Sequence, residues 1–198
     1  MKKLIVWRLR HWQKPNFELD LWLRRLSAMG CIVRDFISKY DVCAARRNIL
    51  EHFVTQDIPA GAEYLMMIDE DVVPEKSTSN MLTADGDLIY CSALSPHEAG
   101  LGKKNHWGDG DFGLACCRIS ATVAKAIPID RSFEFVWNET RTERVNCDCA
   151  YFRDLVQGLG FKTQMVGVVG QNVTAVLSPL EDGYKIRWPN TDIHADIP

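Results

Sequence analysis

Two aspartates at the end of an apolar run are the residues best suited to chemistry. Residues 64–71 read Tyr-Leu-Met-Met-Ile-Asp-Glu-Asp, so Asp69 follows five apolar residues and Asp71 comes two positions later. In an extended chain, residues two apart point to the same side, so these two carboxylates can face one ligand while Glu70 points away. Hard dications prefer carboxylate oxygens and also bind phosphate. The pair therefore predicts a dication site that also holds phosphate.

The spacing alone is not diagnostic, because the chain contains three Asp-x-Asp pairs. Asp85/Asp87 and Asp109/Asp111 lie among glycine and polar residues, a composition typical of turns. The uninterrupted apolar run before Asp69 is typical instead of a strand buried on both faces. We therefore assign the metal role to the first pair.

Asp148 is a further candidate for chemistry. It stands at the start of a predicted helix that ends at Gly158 or Gly160. Aspartate is a common helix N-cap, so a purely structural role is one interpretation. A carboxylate at this position could equally act as a general base for an acceptor hydroxyl. The local sequence does not decide between the two roles.

The elements that must position these residues alternate between strand and helix. The pattern predicts strands over 3–9, 31–37 and 63–69 and helices over 17–29 and 42–55. This β-α-β-α-β order predicts a parallel, right-handed, doubly wound half. In such sheets, ligands bind beyond the carboxyl ends of the strands, where Asp69 and Asp71 fall. Neither a Gly-rich dinucleotide fingerprint nor a phosphate loop is present, which excludes the common dehydrogenases and P-loop enzymes.

The second half is less regular. Strands are predicted over 88–91, 112–119 and 161–169. Residues 95–113 have no periodicity, and a segment of that length suits a functional lid that orders when a ligand binds. We expect one domain over residues 1–198, with a core over 3–175 and a tail over 176–198 that has little pattern.

Composition narrows the class of protein. The net charge of −3 argues against nonspecific nucleic-acid binding, and no apolar run approaches the length of a membrane span. The apolar run at the start of the chain is too short for a signal peptide, so we expect a soluble, cytoplasmic protein. Seven cysteines without a Cys-x-x-Cys pair disfavour zinc; reduced buried thiols are the default, with disulfides as the alternative.

In their order and spacing, four stretches resemble the GT-A family of glycosyltransferases, in the compact form found in phages and archaeal viruses. Residues 44–48, Ala-Ala-Arg-Arg-Asn, are similar to the Ala-Arg-Asn segment of that family. Residues 64–74 are similar to its metal-binding strand end, and residues 110–119 to its acceptor strand. Residues 148–152, Asp-Cys-Ala-Tyr-Phe, are similar to its Glu-Asp-x-x-Phe segment. The resemblance implies an α/β fold of GT-A type, with a Rossmann-like, mostly parallel central sheet flanked by helices.

The resemblance also implies an activity and a set of roles. The donor would be a nucleotide-diphosphate sugar, and Asp71 together with Asp69 would hold Mn²⁺ or Mg²⁺ on its diphosphate. Arg47 and Asn48 would belong to the donor site, with Arg47 adding positive charge near the phosphates; an arginine on that helix could equally pair with Asp41 or Glu51. Asp148 would take the proton of the acceptor. The acceptor would be a protein or a glycan, and for a viral enzyme a coat protein or a cell-surface glycan.

Two departures from the family pattern affect these expectations. A late His that often ligates the metal is replaced by Gly170-Gln171-Asn172, where Gln171 or Asn172 could offer a neutral oxygen; His194 could also fold back. The usual Glu before the catalytic Asp is Cys147. Two alternatives therefore stay open: another metal-dependent nucleotidyltransferase, although residues 4–12 lack its Gly- and Lys-rich phosphate segment, or a noncatalytic nucleotide-sugar-binding or structural protein.

Overall fold

The computed structural model describes most of the chain in nine stretches, which are residues 3–10, 16–37, 41–94, 116–134, 136–137, 144–146, 148–171, 176–180 and 183–187. The predicted lid over 95–113, the pair Asp109/Asp111, and the residues Cys147, Asn172 and His194 lie outside the described residues.

The first half of the chain alternates strictly between strand and helix. Its elements are β1 (Leu4–Arg10), α1 (Phe17–Ala28), β2 (Ile32–Ile37), α2 (Val42–His52) and β3 (Tyr64–Asp69). Strand β1 pairs in parallel with both β2 and β3. The predicted parallel β-α-β-α-β half is therefore confirmed.

Capping side chains set the starts of α1 and α2. The side-chain oxygen of Asn16 accepts a hydrogen bond from the Leu19 amide at 3.1 Å, which satisfies one orphan donor at the start of α1. Asp41 does the same for α2 through the Cys43 amide at 2.8 Å. After α1 the chain reverses at Gly30, whose φ of 90° is a left-handed conformation that glycine adopts without strain.

The second half completes one seven-stranded sheet. It adds β4 (Val72–Pro74), β5 (Leu88–Leu94), β6 (Cys116–Ser120), α3 (Ala121–Ala126), β7 (Val136–Trp137), β8 (Arg144–Asn146), α4 (Asp148–Gly158) and β9 (Thr163–Gln171). The strand order is β2-β1-β3-β6-β5-β9-β4. Strand β6 runs antiparallel to both of its neighbours, and β4 runs antiparallel to β9. The sheet is therefore mostly parallel, with β4 and β6 running opposite to the other strands. This arrangement confirms the predicted α/β fold class.

Residues 176–187, which the sequence assigns to a tail with little pattern, contain regular structure. Strands β10 (Val176–Leu180) and β11 (Gly183–Arg187) pair with each other in an antiparallel hairpin. Strands β7 and β8 form another two-stranded antiparallel pair. Neither pair belongs to the central sheet, so they do not change the order of the strands that carry the candidate site.

The core lies on both faces of the sheet. Alternate residues of β1 and β3 pack against α1 on one face and against α2 on the other. All four residues from Leu65 to Ile68 are fully buried, as expected for a central strand covered on both sides. The first carboxylate of this strand is Asp69 at its carboxyl end, so polar chemistry begins where the buried strand stops.

Six of the seven cysteines fall in the described stretches, and no disulfide joins any two of these six. Five are buried, and burial raises the pKa of Cys91 to about 12. Such thiols behave as small apolar groups rather than as nucleophiles. None of the helices described is both long enough and apolar enough to cross a membrane.

Candidate functional site

The carboxyl ends of three parallel strands meet at one edge of the sheet. Leu9 near the end of β1 lies in register with Asp69 at the end of β3. Arg10 lies in register with Ile37 at the end of β2. This edge is the place where open α/β sheets bind ligands, and it holds the predicted metal pair.

Arg46 of α2 neutralises Asp69. Its Nη2 atom donates to both carboxylate oxygens of Asp69, at 2.9 and 3.1 Å. The Arg46 side chain is only 3% exposed and that of Asp69 is 22% exposed, so water screens this pair weakly. Asp69 is therefore tied to the protein, which leaves Asp71 as the carboxylate of the pair better placed to take a cation.

The family resemblance predicts Arg47 and Asn48, and not Arg46, at this site. The Arg47 guanidinium instead donates to the backbone oxygen of Phe133 at 3.0 Å and lies 4.0 Å from Asp41. Asn48 is exposed. The missed signal was helical phase, because Arg46 falls on the same buried stripe of α2 as Cys43, Ile49 and Leu50.

A double-mutant cycle should detect the Arg46–Asp69 pair. We expect Arg46→Leu to lower the free energy of unfolding by roughly 2–4 kcal/mol, because Asp69 would keep a poorly solvated charge without its cation. When Asp69→Asn is added to this variant, part of the lost free energy of unfolding should be recovered. Urea unfolding of the four proteins should give a coupling energy of about 1–3 kcal/mol. A coupling near zero would contradict the ion pair.

Asp71 lies in the turn between β3 and β4 and is half-buried. Burial and the neighbouring charge of Asp69 raise the pKa of Asp71 to about 6, and the charge of Glu70 contributes to the rise. The backbone amide of Asp71 and the charge of Arg46 act in the opposite direction. An added cation stabilises the charged form of a carboxylate that is desolvated and lies beside a like charge.

This environment predicts how stability depends on pH in the metal-free protein. The folded protein holds the Asp71 proton more tightly than the unfolded chain, so the neutral carboxyl stabilises the fold below about pH 4, and this contribution is lost as the pH rises through about 6. In EDTA at pH 7.5, Asp71→Asn should therefore raise the free energy of unfolding by on the order of 2–3 kcal/mol. At pH 4 the gain should nearly vanish, and an equal gain at both values would contradict the prediction.

The start of α4 lies beside the same arginine. Arg46 Nη1 is 3.8 Å from the Sγ atom of Cys149, the second residue of α4. Asp148 is the first residue of that helix and is therefore one position from a residue in contact with Arg46. Its side chain lies outside what the structure describes, so its role as base or cap stays a prediction. The backbone nevertheless brings the start of α4 to the Arg46–Asp69 pair.

Strand β9 returns to the metal turn. Gln171, its last residue, pairs in antiparallel register with Val72, the residue directly after Asp71. The sequence predicts Gln171 or Asn172 as a neutral oxygen ligand in place of the late His. The register brings the backbone of Gln171 beside the turn, and the ligand role stays a prediction.

Glu70 and Asp85/Asp87 have roles apart from the Asp69 and Asp71 carboxylates. Glu70 points toward Arg10, with 3.9 Å between Oε2 and Nε, whereas Asp69 points toward α2. The Asp87 carboxylate accepts hydrogen bonds from the Lys162 amide and the Ser120 hydroxyl, and so joins the connection before β5 to two other segments. Asp85 is fully exposed and 3.7 Å from Lys162. Both residues lie before the amino end of β5, far from the ligand-binding edge.

The donor set at the turn fits a dication that is shared with phosphate. Among the residues that the structure describes, no cluster of three or more His, Cys, Asp or Glu side chains is arranged around one metal position. Burial and the neighbouring Asp69 nevertheless raise the pKa of Asp71, so a bound cation would stabilise its charged form. Mg²⁺-like ions commonly use one or two protein carboxylates and take further oxygens from substrate phosphates. The described residues of the turn fit that mode of binding, and the metal itself stays a prediction.

Comparisons with known proteins support the fold. No protein-family model matches the sequence, and neither does any curated protein. Among solved structures, A197 from STIV is similar over 99% of this chain and 98% of its own, at a TM-score of 0.56 and 15% identity. A glycosyltransferase involved in the glycosylation of the major capsid of PBCV-1 matches 63% of each chain, at a TM-score of 0.41 and 10% identity.

The match to A197 spans nearly the whole of both chains, so it covers the central sheet and the strand ends that carry Asp69 and Asp71. At this level of identity it shows the fold alone. The predicted α/β fold, with its mostly parallel central sheet flanked by helices, is confirmed.

Proposed function

We propose that this protein is a metal-dependent glycosyltransferase that moves a sugar from a nucleotide-diphosphate sugar to a protein or glycan acceptor. One observation carries the proposal: Asp69, Asp71, Arg46 and the start of α4 meet at the carboxyl edge of a GT-A-type sheet. Three of the four stretches that resemble the family therefore contribute to one site. The resemblance supplies the activity, and the geometry of these residues supports it.

The donor would bind through its diphosphate. Asp71 would hold Mn²⁺ or Mg²⁺, with Asp69 kept in place by Arg46 and able to contribute through water or the ribose. The backbone of Gln171 lies beside Val72, so an amide oxygen at Gln171 or Asn172 is the candidate for a further ligand. When bound, the metal supplies Lewis-acid stabilisation of the charge that develops on the departing diphosphate.

The chain's own residues would then orient the acceptor. During transfer, an acceptor hydroxyl forms a bond to the anomeric carbon of the sugar, while the bond from that carbon to the diphosphate oxygen breaks. The bonding electron pair leaves with the nucleoside diphosphate, and Asp148 accepts the hydroxyl proton. A base at the start of α4 is suited to this role because Arg46 links that helix to Asp69.

The direct test is a thermal-shift screen of nucleotide sugars with and without Mn²⁺, followed by product detection with the best donor. We expect one donor class to stabilise the protein only when metal is present, and to be hydrolysed or transferred. Metal-dependent stabilisation without any turnover would favour a binding module. No stabilisation by any nucleotide sugar or nucleoside diphosphate would overturn the proposal.

A further inference from the structure

We propose that Asn16 is a positioning residue of this site, which clamps the turn that carries Asp71. Asn16 lies at the start of α1 and is only 5% exposed. Its Nδ2 atom donates to the Glu70 carbonyl at 3.0 Å and to the Val72 carbonyl at 2.8 Å. These two carbonyls belong to the residues on either side of Asp71. The consequence for metal binding rests on the proposed function, whereas the clamp itself does not.

The orientation of the Asn16 amide follows from its partners. The Leu19 amide needs an acceptor, and the two carbonyls need donors, so the oxygen must face Leu19 and the nitrogen must face the turn. Both hydrogens of the nitrogen and one lone pair of the oxygen are then used. The side chain is satisfied although it is buried.

Helix capping alone does not explain asparagine at this position. A cap needs one acceptor oxygen, and serine, threonine or aspartate supplies it about as well. Asparagine is the residue of similar length that adds two donor hydrogens to the same cap. The buried Asn16 amide therefore serves the turn as well as the helix, because it also donates to two distant carbonyls.

The clamp adds to the support that the sheet gives the turn on each side of Asp71. Before Asp71, the Glu70 amide donates to the Leu9 carbonyl at 3.0 Å. After Asp71, Val72 pairs with Gln171. Asn16 joins these two supports from the α1 side, so the backbone is held on both sides of Asp71. Groups that hold a ligand in place in this way govern how well a metal is bound.

Three variants separate the clamp from the cap. Asn16→Ser and Asn16→Asp keep the capping oxygen and remove the amide donors, while Ser120→Ala removes an unrelated cap at the start of α3. Mn²⁺ affinity is measured by the EPR signal of the free ion, with and without a nucleoside diphosphate. Exchange of the Glu70 amide is measured by NMR without metal.

We expect both Asn16 variants to bind Mn²⁺ about 10- to 100-fold more weakly than wild type. The hydrogen of their Glu70 amide should exchange with solvent about tenfold faster or more, because the turn loses two hydrogen bonds. Ser120→Ala should change neither measurement beyond its effect on global stability. The aspartate variant is the sharper test, because its added negative charge would strengthen cation binding if electrostatics alone decided affinity.

The outcomes distinguish the two proposals. Unchanged Glu70 exchange in both Asn16 variants overturns the clamp, whichever way the metal result falls. Faster exchange with unchanged Mn²⁺ affinity overturns the positioning role. Faster exchange in the variants together with no Mn²⁺ binding by wild type supports the clamp and overturns the metal site of the proposed function.

Discussion

Replacing Asp148 with asparagine is expected to lower the rate of sugar transfer by about 10²–10⁴-fold, which is the usual contribution of a general base. Asparagine keeps the shape and the capping ability of aspartate but cannot accept the acceptor proton. The affinity for the donor should stay close to that of wild type, because the diphosphate and metal are held at the turn between β3 and β4. The measurement is turnover beside donor affinity, with the donor found in the nucleotide-sugar screen.

Asp154→Asn is the matched control for this change. It makes the same chemical substitution on the same helix, at an exposed side chain that pairs only with its neighbour Arg153 among the contacts described. We expect its turnover and donor affinity to equal those of wild type. A comparable loss in both variants would indicate that α4 tolerates no such change, rather than that Asp148 is a base.

Full transfer activity in Asp148→Asn would reject Asp148 as the base and would favour the structural role at the helix start. It would then point to a retaining reaction without such a base or to another carboxylate, with Asp109 and Asp111 as the next candidates. If the wild-type protein binds the donor but shows no turnover, and Asp148→Asn binds the donor equally well, the protein is instead a noncatalytic binding protein.

Replacing Asp71 with alanine should abolish the Mn²⁺-dependent part of nucleoside-diphosphate binding, weakening it by about 100-fold or more, equivalent to roughly 3 kcal/mol. The reason is that Arg46 already occupies both oxygens of Asp69, so no equivalent carboxylate at the turn can replace Asp71. The folded structure should survive, because Asp71 is destabilising when it is charged and no metal is bound. Isothermal titration with and without Mn²⁺ measures the effect.

Asp85→Ala is the control for Asp71→Ala. Asp85 belongs to the Asp-x-Asp pair before β5, is fully exposed, and lies at the opposite edge of the sheet. Binding should be unchanged in this variant. Equal Mn²⁺-dependent binding by Asp71→Ala and wild type would place the metal elsewhere, and a loss in Asp85→Ala would mean that the wrong pair was assigned.

Local patterns in the sequence determined the strands, the helices and the candidate metal residues. The apolar run before Asp69 predicts a strand buried on both faces, and residues 65–68 are fully buried. Asp41 predicts the start of α2, and its carboxylate accepts from the Cys43 amide. Such features are readable because periodicity, capping and chain reversal depend on residues only a few positions apart.

Tertiary structure alone decided which side chains complete the site. The helical phase of α2 marks Arg46 as the buried arginine, but only the packing of α2 on the sheet brings it to Asp69, while Arg47 donates to Phe133. Asn16 meets Glu70 and Val72, residues 54 and 56 positions away, and Gln171 comes to Val72 only because β9 pairs with β4. Contacts between residues so far apart depend on the order and register of the strands, which no local pattern encodes.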